Sequence, residues 1–410
     1  MSHSSQKSLP KRLKYIRVGK SVESKLREEE PDERWLDPFR ELVDPRREQG
    51  SYHPLLTVVG LAVLAVICGS NNCSEIRDYA LEKEAWLRGV LDLRMGLPSL
   101  STIERVVAAL DPEAFEASFH QWMAEIIKPL GVKVVRIDGK THRGSYDREK
   151  KLKALHSLSA WSDEHRLVLG EVAVDSKSNE ITAIPVLLEF LSLEGAVVTM
   201  DAMGCQKDIV KQIREKKADY LLPLKANHGN LYEALNTWHQ TIKTTNWQDI
   251  EYGSASSLED SHGRHEQRQL WAIPVRELKN HPQLCQELKP WQDIQTVVVI
   301  WRRRRTFRKE MTEVHFFLTS LEADAQRLMD LIRGHWSIEN QLHWSLDVVF
   351  NEDACRTRTG NGARNLGLLR RLAISLLNQE TTYKASLKRK RYRALLNNDY
   401  LCSILAAALP

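Results

Sequence analysis

V-K-V-V-R-I-D-G-K, residues Val132 to Lys140, is a short β-branched run that reaches an acid at Asp138. Before it, from Asp32 to Pro129, the apolar residues recur at helical spacing; after it the period changes to that of strands. Leu155–Trp161 and Leu167–Asp175 read as two further strands in quick succession. Ile181–Leu193 reads as a helix, Ala196–Asp201 as a fourth strand, Lys207–Lys217 as a helix and Asp219–Leu224 as a fifth strand. The order β-β-β-α-β-α-β predicts an α/β chain with an RNase H-like core. The next element in that fold is a helix bearing an acid, yet here roughly 100 residues intervene, a length at which a plain loop is unusual. Within 228–322, Leu231–Trp238 is helical in pattern, and Leu270–Pro274, Thr296–Trp301 and Val314–Leu318 read as strands. Gly253 to Gly263, polar and rich in Ser, reads as an exposed loop. The stretch is therefore expected to be a β-containing insertion.

Working outward, residues 1–30 are polar and basic and are expected to form a flexible arm. Residues 31–130 are expected to form a helical N-terminal domain, 131–380 the catalytic domain, and 381–410 a basic tail with one short helix over Leu395–Leu409. Leu55 to Gly69 is an apolar run shorter than the roughly 20 residues a membrane span needs, so a core helix is expected and no membrane is implied. Ser101, three residues before Glu104, reads as a capping box opening a helix that closes before Asp111-Pro112. Glu113–Lys128 and Asn365–Leu377 are amphipathic. The six cysteines are scattered without a C-x-x-C pair, which argues against a disulfide framework or a zinc site and fits a reducing cytosol. The net charge of +5 permits nucleic-acid binding without demanding it. More telling are the basic runs at Lys11–Lys20, Arg302–Arg305 and Lys388–Arg393.

Far downstream lies I-R-G-H-W-S-I-E-N-Q-L-H-W-S-L-D-V-V-F-N-E-D-A-C-R-T-R, Ile332 to Arg358. Its apolar residues Ile332, Trp336, Ile338, Leu342, Trp344 and Leu346 suit a helix with one buried face, and Glu339 lies mid-way along it. The first and fourth strands of an RNase H-like sheet are neighbours, so Asp138 and Asp201 are expected side by side with Glu339 completing a triad. Three carboxylates suit Mg²⁺, which takes oxygen ligands. Two such ions can stabilise the attacking and leaving oxygens of phosphoryl transfer. Alone, each acid is as ordinary as any surface charge; Asp175, Asp347, Glu352 and Asp353 rank behind the three. Lys140 and Lys225 end the first and fifth strands and either reach phosphates or are plain exposed lysines. His335, four residues before Glu339, either touches the scissile phosphate or packs. Trp336 and Trp344 are read as core. Arg302, Arg303, Arg304 and Arg305 either grip a DNA backbone or are solvated.

Taken together these residues resemble a bacterial insertion-sequence transposase of the DDE type, in particular the H-repeat-associated group. The resemblance runs from about Asp37 to Leu377. Its marks are V-V-R-I-D-G-K-T-H-R-G-S, T-M-D-A-M-G-C-Q-K-D-I-V, A-D-Y-L-L-P-L-K-A-N-H and the Glu339 stretch. It implies that Asp138, Asp201 and Glu339 are the catalytic acids and hold Mg²⁺, with Mn²⁺ as a substitute. It further implies double-stranded DNA as partner (terminal inverted repeats and target), a homo-oligomer, in the simplest case a dimer, and a cytoplasmic, nucleoid-associated protein. The reaction implied is hydrolytic cutting at the element ends, then attack of the freed 3′-OH on target DNA. Two cations that related cut-and-paste transposases carry around the glutamate are replaced here by His335 and Leu346, and Lys225-Ala226-Asn227 stands where Lys-Gly-Asn is expected. The rival readings are a DNA-binding descendant without catalysis and a nuclease that cuts without strand transfer.

Overall fold

The structure, a computed structural model, describes residues 33–47, 51–149, 151, 153–174, 180–245, 247–248, 250–261, 264–307 and 309–407. The arm at 1–30 and Asp175 lie outside the described residues.

The seven elements expected from Val132 onward are present. They are β1 (Val134–His142), β2 (Leu155–Ser162), β3 (Leu167–Val174), α5 (Glu180–Phe190), β4 (Val197–Met200), α6 (Lys207–Glu215) and β5 (Asp219–Leu224). Helices α1 to α4 precede them and are described below. The sheet runs β3-β2-β1-β4-β5, with β1, β4 and β5 parallel and β2 and β3 antiparallel, which is the RNase H-like arrangement. One expectation is corrected here. β1 continues four residues past Asp138, so that acid sits within the strand and not at its end. The polar G-K-T-H tail conceals this because Lys140 and His142 are buried by partners on other elements and not by an apolar face.

After α7 (Gly229–Thr244) come β6 (Gly253–Ser261) and β7 (Arg264–Pro274); after α8 (Pro282–Leu288) come β8 (Thr296–Thr306) and β9 (Glu310–Thr319). β9 pairs antiparallel with β5, so the insertion extends the same sheet to nine strands, ending β5-β9-β8-β7-β6. Gly253 to Ser261 is thus an edge strand paired with β7 along its whole length, and not the expected loop. Its Ser, Asp and Glu residues have low strand propensity, and the backbone ladder to β7 overrides it. The three expected inserted strands are also longer than their apolar cores. Charged pairs carry them outward: Arg302 faces Glu313 and Arg305 faces Glu310 across β8 and β9.

α9 (Ala325–Gly334) lays Leu328, Met329 and Leu331 on a second apolar cluster shared with Leu270 and Ala272 of β7, Val298 and Ile300 of β8, and Val197 and Leu221 of the core sheet. Winding then loosens, and Ile338–His343 and Ser345–Val349 are π-helical. Ile338, Leu342, Leu346 and Phe350 are fully buried. A repeat of four residues keeps these side chains on one side of the segment. The expected stripe is corrected accordingly: Trp336 and Trp344 fall on the opposite face, each 55% exposed.

The N-terminal helices are α1 (Leu55–Cys68), α2 (Cys73–Leu87), α3 (Leu100–Ala109) and α4 (Pro112–Ile127). α1 is buried almost throughout, as expected of its composition. The cap of α3 is Ser99, whose Oγ accepts from the Thr102 N–H at 3.2 Å, and not Ser101. α10 (Gly362–Gln379) packs against α1, α3, α4 and β3. The single expected C-terminal helix is two, α11 (Leu387–Leu396) and α12 (Asn398–Ala407). The basic run there is partly internal. Lys390 donates to the Leu377 carbonyl at 2.8 Å, and Arg391 donates to the Val66 carbonyl at 3.0 Å while lying 3.9 Å over the Phe350 ring. Among the described residues no single helix is long and apolar enough to cross a membrane.

Between α10 and the sheet, the fully buried Arg371 ion-pairs with Glu171 of β3 and, at 2.5 Å, with Glu352. Ser159 donates to the same Glu171 at 2.9 Å. Removing one member of such a network strands buried charge. Arg371→Met is therefore expected to destabilise the protein by about 3–5 kcal/mol, read as a lowered thermal unfolding midpoint. A midpoint equal to wild type would count against this network as a buried fastening.

Candidate active site

Asp138 and Asp201 are brought abreast by strand register. β1 and β4 pair in parallel with Ile137 opposite Met200, so the two acids follow directly on a matched pair. Neighbouring strands lie about 4.8 Å apart. Asp201 opens the turn Ala202–Gly204, its Oδ1 accepting from the N–H of Met203 at 2.9 Å and of Gly204 at 3.4 Å. A second turn, Ala226–His228 after β5, is clamped to the first. Asn227 donates to the Ala202 carbonyl at 2.9 Å, and His228 Nε2 lies 2.6 Å from the Cys205 carbonyl. Asn227 of the Lys-Ala-Asn variant is thus a structural clasp that leaves Lys225 exposed, near enough to lower the proton affinity of Asp201.

The third acid arrives on the π-wound segment, whose four-residue repeat aligns His335, Glu339, His343 and Asp347 in one row. Three of the four touch the core. His335 Nδ1 is 3.0 Å from Thr199 Oγ1 on β4, His343 Nδ1 is 3.5 Å from Asp138 Oδ2 on β1, and Asp347 pairs with Lys140 of β1 at 2.7 Å. Glu339 lies between the two histidines in this row, partly open to solvent. The entry to the segment is fixed by Arg136 of β1, which donates to the Leu331 carbonyl at 3.1 Å and ion-pairs with Asp163. Ser337 donates to the same Asp163. A Cβ at Gly334 would overlap the Arg136 guanidinium, so glycine is required for this approach.

Burial pushes the Asp138 carboxyl up to about 7, and the charges of Glu339, Asp201 and Glu180 push the same way. Asp201 is raised by burial and then by Glu180, and Glu339 by its own partial burial. Burial holds both histidines neutral, His335 down to about 4 and His343 to about 3. Among the described residues no three His, Cys, Asp or Glu side chains are gathered tightly enough to hold a metal ion. The donors are nonetheless all carboxylate oxygens, the ligand type a hard divalent cation takes. Their mutual repulsion at Asp138 is the charge excess such a cation would neutralise, so the residues fit a divalent ion in kind.

Other expected residues fall elsewhere. Lys140 is buried among Asp347, Glu352 and Asp353, at 2.7, 3.3 and 3.2 Å, which also accounts for those three lower-ranked acids. His335 is turned onto β4. In the insertion, Arg302 pairs with Glu313, Arg303 with Glu310 at 2.7 Å, and Arg304 lies 3.8 Å from Glu266; Arg305 is exposed near the same Glu310. Sequence reading missed Glu180, buried at the start of α5 with Oε1 2.6 Å from His156 Nε2. An acid in a first helical turn is so common that it gives no signal. His343 lies four residues past Glu339 in the sequence, and only the fold shows its contact with Asp138.

A family model described as "Transposase DDE domain" matches residues 129–376, and one described as "DDE_Tnp_1-associated" matches 36–123. The chain is similar to "Putative transposase YncI" of Escherichia coli O157:H7, 38% identical over 91% of this chain and 94% of that one. It is also similar to "H repeat-associated putative transposase YhhI" of Escherichia coli (strain K12), 36% identical over 87% and 93%. A solved piggyBac transposase synaptic complex with hairpin DNA aligns at TM-score 0.40 and 12% identity, covering 90% of this chain and 77% of that one, too weakly to bear weight.

The charge on Asp138 has a pH signature. Its folded-state affinity for a proton exceeds the ordinary 3.8, so it favours the folded state at low pH and that contribution is lost as pH rises towards about 7. In the presence of a chelator, Asp138→Asn is expected to unfold at a higher temperature than wild type at pH 8, with a smaller gap at pH 5. An equal gap at both pH values would show that Asp138 carries no such burden.

Proposed function

Because the chain belongs to the DDE transposase family, matched over residues 129–376, we propose that it is a DNA transposase whose cutting and joining centre is Asp138, Asp201 and Glu339. The observation that carries the assignment is the register of β1 on β4, which sets the first two acids abreast, with Glu339 in a row whose neighbours touch both strands. Divalent metal use is general to this family; we assign Mg²⁺, held by the three carboxylates. When bound, it would supply electrophilic stabilisation of the phosphate in flight.

The chain's own contribution is positioning. The Asp201 carboxylate is held by two backbone N–H groups, which fix its orientation. His343, kept neutral by burial, stands against Asp138 without neutralising it. Lys225, the exposed cation beside Asp201, is suited to a DNA phosphate. The reaction we assign is hydrolysis at the element's terminal inverted repeats followed by in-line attack of the freed 3′-OH on target DNA. It involves no covalent protein–DNA step. We assign 31–130 to a helical associated domain, and the working form to a homo-oligomer, in the simplest case a dimer, acting in the cytoplasm on nucleoid DNA.

The test is cleavage of DNA flanking the gene, with Mg²⁺ or with EDTA. Discrete metal-dependent cuts are expected. Asp138→Ala, Asp201→Ala and Glu339→Ala should each lose roughly 10³-fold in rate, since metal stabilisation of transferring phosphate is worth several kcal/mol and each 1.36 kcal/mol is tenfold. Specific binding without cutting under any metal would move the reading to a non-catalytic DNA-binding protein. Cutting without joining would favour a nuclease.

A further inference from the structure

A groove of about 1620 Å³ lies between the N-terminal helices and the segment that follows the Glu339 helix. One wall is the exposed side of α3 with the start of α2, the Asn71-Asn72 link before it and Pro45 to Arg47; the floor is the chain from Asn351 to Gly360. The groove is built before anything enters it. Its floor is fastened to α3, where Asn361 N–H donates to the Ala108 carbonyl at 2.8 Å and Gly360, at φ +52°, leaves no room for a Cβ against that carbonyl. It is fastened to the end of β1 by the Arg143 N–H donating to Asp353 at 3.1 Å, and by Gly144, where a Cβ would overlap the Cys355 carbonyl. Behind it Arg370 donates to the Asn71 carbonyl at 2.8 Å.

Among the described residues, five arginines line this groove against two glutamates. Arg358 is engaged by the Gly144 carbonyl at 3.1 Å and Asp147 at 3.6 Å. Arg46 is paired with Asp44 at 2.6 Å, its side chain only 8% exposed, yet its Nη1 is buried without a hydrogen-bond partner among the described residues. Arg47, Arg105 and Arg356 are exposed, and among the described residues none of them forms an ion pair with a carboxylate. Of the acids, Glu75 is occupied by the N–H of Asn71 and the amides of Asn71 and Asn72. Guanidinium groups without carboxylates fit phosphate geometry. Among the described lining residues there is no aromatic side chain, so stacking on unpaired bases is not the mode offered.

We propose that this groove grips the sugar-phosphate backbone of duplex DNA without reading sequence, through Arg47, Arg105 and Arg356. The inference rests on the transposase reading and adds where the duplex lies. The floor meets the chain at Arg143, just past the end of β1 and five residues beyond Asp138, on the order of 15 Å away, about half a turn of DNA from the acids.

The experiment measures binding of the full chain to two labelled duplexes of equal length, one from the gene's flanking end and one scrambled, across a NaCl series. Each phosphate contact contributes about 0.9 to the slope of log affinity against log salt. R47A/R105A/R356A is expected to flatten the slope by roughly two to three on both duplexes, and the triple lysine variant to restore it. A slope equal to wild type on both overturns the inference, and flattening on the end duplex alone overturns its sequence-blind form. Wild type that cuts its flanking DNA while the triple variant keeps the full slope leaves the transposase reading intact and sinks only the groove. Wild type that neither binds nor cuts overturns both.

Discussion

One guanidinium joins the three parts of the chain on which the site depends. Arg136 is buried in β1, two residues before Asp138, and holds the last turn of α9 through the Leu331 carbonyl. A buried charge is tolerable only when it is fully engaged. Asp163, Thr199 and Leu331 supply that engagement from the β2–β3 connection, from β4 and from the far end of the insertion. Because Gly334 has no side chain, the chain closes on Arg136 and turns there, five residues before Glu339. The insertion separates the second acid from the third by more than a hundred positions in sequence, and this contact cancels that separation in space.

The electrostatics of the centre are unbalanced in one direction. Cations near the acids are either locked elsewhere, as Lys140 is by three carboxylates, or held neutral, as His335 and His343 are. Lys225 is an exposed cation near Asp201. Burial is the main reason the Asp138 proton is held above the usual carboxylate range, and the charges of Glu339, Asp201 and Glu180 add to it. The two cations that related enzymes place on the glutamate helix are here a neutral histidine packed on β4 and a buried leucine.

The parts of this arrangement legible in the sequence were those written in apolar residues. Val134 to Ile137, Val197 to Met200 and Tyr220 to Leu222 announce buried parallel strands, and their order alone put Asp138 beside Asp201. What was illegible was whatever depends on a partner far away in the chain. β6 is polar and becomes a strand only because β7 offers its ladder. Trp336 and Trp344 look like core residues by composition, but each sits two positions from a buried residue of the stripe, on the opposite side of the helix, and faces outward. Lys140 looks like a free phosphate ligand until Glu352, more than two hundred residues on, is seen to bury it. Glu180 carries no local mark at all.

The same logic governs the basic residues, and it explains why net charge was a poor guide. Much of the arginine and lysine in the conspicuous runs is consumed by structure. Lys390 and Arg391 tie the C-terminal helices to α10 and α1, and Arg302 to Arg304 are matched to carboxylates across β7, β8 and β9. Arg47, Arg105 and Arg356 lie far apart in the sequence and are gathered only by the fold, around one groove. An electrostatic surface for DNA is thus better sought among cations that the native packing fails to neutralise than among those that are adjacent in the chain, because a run of like charges on a strand is the arrangement that neighbouring strands most readily cancel.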